Sequence, residues 1–448
     1  MTTIDNRQPA TGNRRMAPVD EQIGVLMSGV DYGDVELKKQ MERELRGLLE
    51  QDRPLRVYLG VDPTATSLTL GHTVPLRKLR QFQQFGHDAI FLIGDYTALI
   101  GDPSDKNKLR PMLTQEDIQA NEATYFEQAS KLLDPSKTEL RHNSEWLGKL
   151  DFPAIISLMS KFTAAEMLRR DNFRLRWDAG DAVYLHEFLY ALMQGYDAFA
   201  LECDVQVGGT EQLFNLMAGR KIQEDAGQKP HVPVTLPILV GLDGKERMSK
   251  SKGNHIGVND GPNEQYGKAM SLPDDVIMSF FVLATNVPRS ELPEIEQQIE
   301  RAPMAAKKRL ARTIVSEFHG EAATAEAEAT FERTVQRKGS LSPDDFRREK
   351  VQKGESWADL LVRLHLATSK RAAVELIRQR AVRIQGFTWS VRADSLRPEG
   401  GVVTEPDEAV MSGGLTTADL VVVDNPFAEA DYEGPIEVGK RHRILLVR

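Results

Sequence analysis

The chain has 448 residues, of which 41% are apolar and 27% charged, with a formal net charge of −9. This length suffices for about three domains, and the negative charge excludes a chain-wide electrostatic attraction to nucleic acid. No segment has the ~18 apolar residues of a membrane span, the first residues lack the apolar core of a signal peptide, and the single cysteine, Cys203, excludes an internal disulfide, so we expect a cytoplasmic protein without a membrane segment.

Strand-like and helix-like segments alternate from Leu55 to Asn254. Strands are predicted in "LRVYLGV", "HDAIFLIGD", "LECDVQVGG" and "VPVTLPILVG", and helices in "TVPLRKLRQFQQFG", "TQEDIQANEATYFEQASKLL" and "EQLFNLMAGRKIQEDAG". Such alternation predicts an α/β fold, with a Rossmann-like parallel sheet covered by helices on both faces. Ligands of these sheets bind beyond the carboxyl ends of the strands.

The rest of the chain changes character twice. Strand signals vanish from Asp274 to Val335. After the break "RKGSLSPDD", segments with a helix-like sequence are followed by segments with a strand-like sequence. We therefore predict a flexible tail, a Rossmann-like domain, an α-helical domain and a small α+β domain. Their predicted ranges are 1–20, 21–255, 256–340 and 346–448.

The start of the last predicted domain is basic. Between Phe346 and Gly386 there are ten Lys and Arg against four Asp and Glu, a surplus of six in a chain whose net charge is −9. Local positive charge on helices favours binding of phosphate backbones, whereas the alternative is a solvated helix face. The contrast with the whole chain favours the first interpretation.

The stretch "DPTATSLTLGH" connects the first predicted strand to a helix. It is either an ordinary turn, which is the commoner case, or a phosphate site made by free N–H groups at the helix start. In the second case Gly71 lets a phosphate approach the backbone, and His72 supplies a donor beside it. This stretch alone favours the ordinary turn.

A second stretch, "GKERMSKSKGN", follows the last predicted strand of the sheet. Arg247, Lys250 and Lys252 lie there among serines and glycines. A solvated loop is the commoner meaning of this composition. The functional interpretation is a mobile cationic arm that folds over a polyphosphate and neutralises charge in a transition state.

Together, "TLGH" at 69–72 and "RMSKS" at 247–251 resemble the paired signatures of the class I aminoacyl-tRNA synthetases. "YLGVDPT", "LIGDPS", "YALMQGYD" and "VGGTEQLFN" make the chain similar to bacterial tyrosyl-tRNA synthetases in particular. The resemblance covers essentially the whole chain. It implies that the last domain is similar to an S4 RNA-binding domain and that the helical domain binds the anticodon.

The resemblance also implies roles for individual positions. Its implied tyrosine-binding residues are Tyr58, Asp102, Tyr190, Gln194, Asp197 and Gln212. Its implied catalytic residues are Thr69, His72, Lys250, Lys106 and Arg110. Its implied ATP-binding residues are Thr64, Gly71, His72, Met248, Ser249 and Lys250. No metal ligand is implied. Independently, Tyr190, Gln194 and Asp197 fall at i, i+4 and i+7, which places them on one helix face.

Three positions depart from the family's usual residues. Thr69 stands where many members have histidine, although a hydroxyl can still donate to a phosphate. Arg247 stands where lysine is usual, which keeps the charge but changes its geometry and hydration. Glu211 stands where aspartate is common, and its extra methylene makes a direct substrate contact there doubtful.

The implied activity is tyrosine–tRNA ligation, with L-tyrosine, ATP and tRNA(Tyr) as substrates, magnesium accompanying ATP, no tightly bound cofactor, and a homodimer. Two alternatives remain open. One is activation of tryptophan on the same fold, which Asp197 and Tyr58 disfavour because they suit a phenol. The other is a non-catalytic RNA-binding protein on a synthetase scaffold, which the retained glycines, His72 and the cationic arm disfavour.

Overall fold

The protein is described here by a computed structural model that divides into two compact units, Met1–Ala325 and Glu326–Arg448. The described residues are 16–63, 67–104, 114–333, 347–350, 357–364, 366–367, 369–373, 382–384, 391–392, 421–422, 434–438 and 442–447. The four predicted domain ranges stay predictions.

A five-stranded sheet forms the centre of the first unit. Its strands are β1 (Arg56–Val61), β2 (Asp88–Ile93), β3 (Thr138–His142), β4 (Val205–Gly209) and β5 (Val232–Leu236). The order is β3-β2-β1-β4-β5, and every neighbouring pair is parallel, which confirms the predicted α/β fold. The central strands carry apolar side chains that helices bury from both faces, as a parallel sheet requires.

Helices surround this sheet in chain order. They are α1 (Val19–Leu26), α2 (Val35–Leu49), α3 (Leu70–Phe85), α4 (Gln115–Ala129), α5 (Ser144–Leu147), α6 (Phe152–Met159), α7 (Ala164–Leu168), α8 (Asp171–Asp178), α9 (Leu185–Ala200) and α10 (Leu213–Asp225). Helix α3 ends at Gly86, whose φ of 94° is a left-handed conformation that glycine adopts without a Cβ penalty. This is the stop that the sequence predicted.

The first unit continues into a helical region. It contains α11 (Pro262–Met270), α12 (Ile277–Ala284), α13 (Leu292–Arg301) and most of α14 (Pro303–Phe331), which is interrupted at Gly320 and whose residues from Glu326 on belong to the second unit. Helix α12 packs against α3, so this region contacts the helix that follows the first signature. No helix among the described residues is both long and apolar enough to cross a membrane.

The second unit contains helical and strand segments, as predicted. Its elements are β6 (Arg347–Lys350), α15 (Trp357–Arg363), β7 (Val382–Ile384), β8 (Val391–Arg392), β9 (Val421–Val422), β10 (Gly434–Val438) and β11 (His442–Val447). Four of these strands form a sheet in the order β6-β11-β10-β7, and β8 pairs with β9.

Candidate active site

The candidate site lies at the carboxyl ends of β1 and β4. In the sheet, β2 and β3 lie on one side of β1, whereas β4 and β5 lie on the other. The loops after β1 and β4 therefore diverge and leave a crevice, the position where open α/β sheets bind ligands. A small cavity, open to solvent on one side, occupies it. The cavity is lined by Tyr58, Gly60, Val61, Asp62, Leu92, Gly94, Thr97, Asn143, Tyr190, Gln194, Asp197 and Gln212.

Tyr58 and Asp197 form a polar part of the cavity wall. Tyr58 is fully buried, and its hydroxyl donates a long hydrogen bond of 3.4 Å to the main-chain oxygen of Gln194. The Asp197 carboxylate accepts from the indole N–H of Trp146 at 2.7 Å and from the amide of Asn143 at 3.2 Å. Sequence reasoning missed Trp146 and Asn143, which hold this carboxylate in one orientation.

Burial dominates the protonation of Asp197. It raises the pKa of this carboxyl to about 8, helped by the nearby charges of Asp62 and Asp95 and opposed by the hydrogen bonds from Trp146 and Asn143. Burial also raises the pKa of the Tyr58 hydroxyl well above 10. A buried carboxyl beside a neutral phenol is suited to read a ligand hydroxyl through hydrogen bonds.

We predict that Asp197 makes stability depend on pH. Between pH 4 and pH 8 the unfolded chain has released this proton while the folded chain keeps it, so stability falls with rising pH by up to about 1.4 kcal/mol per unit. Asp197→Asn lacks this contribution. From pH 5 to pH 7.5, the unfolding temperature of the wild type should therefore fall relative to that of Asp197→Asn. A constant difference would mean that Asp197 is already ionised at pH 5.

A second carboxylate, Asp62, enters the cavity directly after β1. It accepts from the hydroxyl of Tyr190 at 2.9 Å and from that of Thr97 at 2.8 Å. Gly94 is required beside it, because a Cβ there would lie 2.3 Å from an Asp62 oxygen and 2.4 Å from the Thr97 hydroxyl. Sequence reasoning quoted Asp62 in its first stretch but did not assign it to the site. The signal was an acidic residue at the carboxyl end of a central strand.

The third carboxylate, Asp102, lies next to the cavity lining. It accepts from the Gln212 amide at 2.8 Å and from the backbone N–H of Ser104 at 2.8 Å. Gln194 in turn accepts from the buried amide of Asn215 at 2.9 Å. The structure thus brings together all six residues predicted to bind tyrosine, five of them in the lining and Asp102 through Gln212. Asp62 and Asp102, two carboxylates beside one small cavity, suit a ligand that carries an ammonium group.

His72 projects from the first turn of α3. Its Nδ1 accepts the backbone N–H of Thr69 at 3.0 Å and lies 2.8 Å from the Thr69 hydroxyl. In the neutral ring the proton is therefore on Nε2, which is free to donate. The ring is exposed to the cleft, but the protein packed around it and the charges of Lys250 and Arg247 lower its pKa to about 4. His72 is therefore a neutral donor at the positive end of a helix dipole.

The two signatures lie side by side. Thr69 forms an antiparallel bridge with Gly257, and the N–H of Leu70 donates to the oxygen of Ile256 at 2.9 Å. The Lys250 ammonium donates to the main-chain oxygen of Ser67, just before the first signature. The predicted cationic arm therefore lies over the start of α3.

Asn254 holds this arm in shape. Its side chain accepts from the backbone N–H of Ser249 at 2.8 Å and donates to Asp243 at 2.7 Å. Met248 is buried, with its Cβ 3.7 Å from the position of a Cβ on Gly71. Such a Cβ would make only ordinary contacts, so packing alone does not require glycine at 71.

The structure says less about the remaining predicted site positions. Thr64, Lys106 and Arg110 lie outside the described residues. Glu211 folds back against Gly209, and burial raises the pKa of its carboxyl. No group of three or more His, Cys, Asp or Glu side chains in the described part of the chain is arranged to hold a metal ion.

The sheet order, the crevice and the adjoining signatures are those of a class I aminoacyl-tRNA synthetase. A family model for "tRNA synthetases class I (W and Y)" matches residues 50–336, and the chain belongs to this family.

Relatives and solved structures agree with this assignment. The chain is 45% identical over 367 residues to a tyrosine–tRNA ligase of Mannheimia succiniciproducens, which covers 80% of this chain and 92% of the relative. It is also 45% identical over 362 residues to a tyrosine–tRNA ligase of Thermotoga maritima, covering 80% and 90%. A truncated mitochondrial tyrosyl-tRNA synthetase of Aspergillus nidulans superposes with a TM-score of 0.56 at 25% identity, over 71% of this chain and 94% of that one.

Proposed function

We propose that this chain is a tyrosine–tRNA ligase, which activates L-tyrosine with ATP and transfers the tyrosyl group to the 3′-terminal ribose of tRNA(Tyr). The observation that carries the proposal is the cavity itself. It combines a phenol-reading pair, Tyr58 and Asp197, with carboxylates that suit an ammonium group, and it lies at the end of the strand that leads into the first signature. The 45% identity to tyrosine–tRNA ligases over most of the chain supports the same substrate.

The chemistry requires no nucleophilic side chain. The carboxylate of tyrosine attacks the α-phosphorus of ATP, which gives tyrosyl-adenylate and releases pyrophosphate. A hydroxyl of the terminal ribose then attacks the acyl carbon, and AMP leaves. Catalysis therefore consists of holding tyrosine and ATP in line and stabilising the charge that develops on the phosphates.

The nucleotide side of the site supplies that stabilisation. The Nε2–H of His72 is available at the start of α3, and the Lys250 ammonium lies against Ser67, just before that helix. We propose that magnesium arrives with ATP and is held mainly by phosphates and water. We also propose a cytoplasmic location, where tRNA charging serves translation.

The direct test is pyrophosphate exchange into ATP with the full-length protein. We expect exchange with L-tyrosine and discrimination against phenylalanine of up to about 10⁵, since a site built to bond a hydroxyl rejects an analogue that lacks it (an enzyme of this family is a standard example). Exchange with tryptophan in place of tyrosine would establish the alternative substrate. No exchange with any amino acid would favour a non-catalytic RNA-binding protein.

Lys250→Ala tests the arm. We expect the activation rate to fall by about 2–4 kcal/mol of transition-state stabilisation, roughly 30- to 900-fold, with little change in tyrosine affinity. The reason is that the ammonium contacts charge that develops only during the reaction. Pre-steady-state activation rates and equilibrium tyrosine binding would be measured together. Equal losses in both would indicate a pocket defect, and Lys252→Ala on the same arm is the matched control.

We further propose a homodimer. Large apolar side chains are exposed in the stretch 152–185, and on α6 they recur on one face at i, i+4 and i+7. The exposed residues there are Phe152, Ile156, Met159, Leu175, Trp177, Tyr184 and Leu185. Exposed apolar surface of this kind marks an interaction site, and a second copy of the chain is the partner that the family resemblance implies.

Ile156→Asp should disrupt this dimer. A carboxylate placed in an apolar interface stays unpaired and loses its hydration, which shifts the equilibrium toward monomer. Sedimentation over a range of concentrations would measure the shift. Met304→Asp, at an exposed apolar residue of α14, is the control that should leave the oligomeric state unchanged. A dimer of wild-type strength in Ile156→Asp would exclude this face.

A further inference from the structure

The last turn of α14 before Gly320 contacts both elements that build the nucleotide side of the site. Glu317 pairs with Arg77 on α3, the helix that begins at the first signature. His319, two residues on, is a near neighbour of Asp260, just after the segment that pairs with that signature. One short stretch of the helical region therefore touches both supports of the phosphate-facing turn.

The Arg77–Glu317 pair is bidentate and buried. The Arg77 side chain is 3% exposed and that of Glu317 14%, and one guanidinium nitrogen donates to a Glu317 oxygen at 2.6 Å while the second contacts the other oxygen. The amide of Asn286 also donates to this carboxylate. A two-pronged pair fixes direction as well as distance, so it restricts rotation of α3 about its axis.

Arg77 lies close to the first signature along α3. It follows His72 by five residues, which is about 7.5 Å along the helix axis. Both residues belong to α3, with Pro75 between them removing one main-chain hydrogen bond, so a change in the direction of α3 still moves the His72 ring.

The second contact supports the other side of the same turn. A side-chain oxygen of Asp260 accepts from the N–H of Gly257 at 2.7 Å and from the ammonium of Lys268 at 2.6 Å. Gly257 is the bridge partner of Thr69, which caps α3. His319 thus lies beside a residue that is linked to the cap of α3 through one hydrogen bond and one bridge.

We propose that Glu317 and Arg77 are positioning residues for ATP activation: their pair, assisted by the His319–Asp260 contact, sets the direction of α3 and so the placement of His72 against the phosphates. This inference rests on the proposed tyrosine activation. Misplacement of reacting groups by about 1 Å can cost about 100-fold in rate, so a small rotation of α3 has a measurable effect. Tyrosine contacts from α9 and β1 do not pass through this pair, so tyrosine affinity is unaffected.

The test compares variants of the full-length protein by pyrophosphate exchange, tyrosine KM and unfolding temperature. Arg77→Met with Glu317→Leu replaces both charges by apolar groups, which avoids an unpaired buried charge. Glu317→Gln keeps the shape and one hydrogen-bond acceptor. Lys307→Met is the matched control, because Lys307 lies on the same helix and pairs at 2.6 Å with Asp274, away from α3.

We expect kcat for exchange to fall about tenfold in the double variant and by less in Glu317→Gln, with tyrosine KM within twofold of the wild type. Lys307→Met should leave kcat unchanged even if it unfolds at a lower temperature. An unchanged kcat in the double variant, or a fall in kcat matched by a rise in tyrosine KM, would overturn the proposal. If the double variant does not fold, Glu317→Gln decides by the same criteria. Absence of exchange in the wild type would instead refute the proposed function.

Discussion

Asp197→Ala should strongly reduce tyrosine activation. The substitution leaves the N–H groups of Trp146 and Asn143 without their acceptor and removes the partner of the substrate hydroxyl. The unpaired substrate hydroxyl costs about 1–3 kcal/mol in kcat/KM, roughly 5- to 160-fold, whereas the two N–H groups are unpaired in the free enzyme too and lower its stability instead. Exchange rates with tyrosine and phenylalanine over a range of concentrations would measure the loss.

Tyr58→Phe provides the graded comparison. It removes one hydroxyl and leaves the carboxylate network intact, so tyrosine should lose only about 0.5–1.5 kcal/mol and phenylalanine nothing. The ratio of kcat/KM for tyrosine over phenylalanine should therefore fall about 2- to 12-fold. Tyr196→Phe, on the same helix as Asp197 but outside the cavity lining, is the control. An unchanged ratio in a folded Tyr58→Phe protein would remove Tyr58 from substrate recognition.

The sequence predicted the elements that apolar patterning marks. β1, β2, β4 and β5 were predicted because buried parallel strands are apolar runs bounded by turn residues. β3 was not, since "TELRH" lies at the sheet edge and its side chains are half-buried or exposed. Edge strands need not be apolar on both faces, so their pattern resembles a loop.

Site residues divide along a similar line. Those that fall in family signatures or share a helix face, such as Gln194 and Asp197, could be assigned from sequence. Trp146 and Asn143 could not, because they lie 51 and 54 residues from Asp197 in the chain and meet it only through the β3–α5 connection. Arg77 and Glu317 are 240 residues apart, and only packing of α14 on α3 brings them together.

Removal of the chain beyond Ser340 should separate the two half-reactions. The residues proposed for adenylate formation all precede position 255, and the whole first unit, Met1–Ala325, is retained. The deleted part contains the basic stretch 346–386, with ten Lys and Arg against four Asp and Glu. We therefore expect pyrophosphate exchange to continue, while tRNA charging becomes poor at ordinary tRNA concentrations.

The salt dependence of tRNA binding identifies the cause. Each lost contact between a cationic side chain and a phosphate should reduce the slope of log K against log salt by close to one unit. Circular dichroism and thermal unfolding must first show that the shortened protein is folded. Full charging with an unchanged slope would make the basic stretch a solvated face. Loss of exchange as well would mean that the second unit supports the catalytic fold, because adenylate formation involves no nucleic acid and has no other need of it.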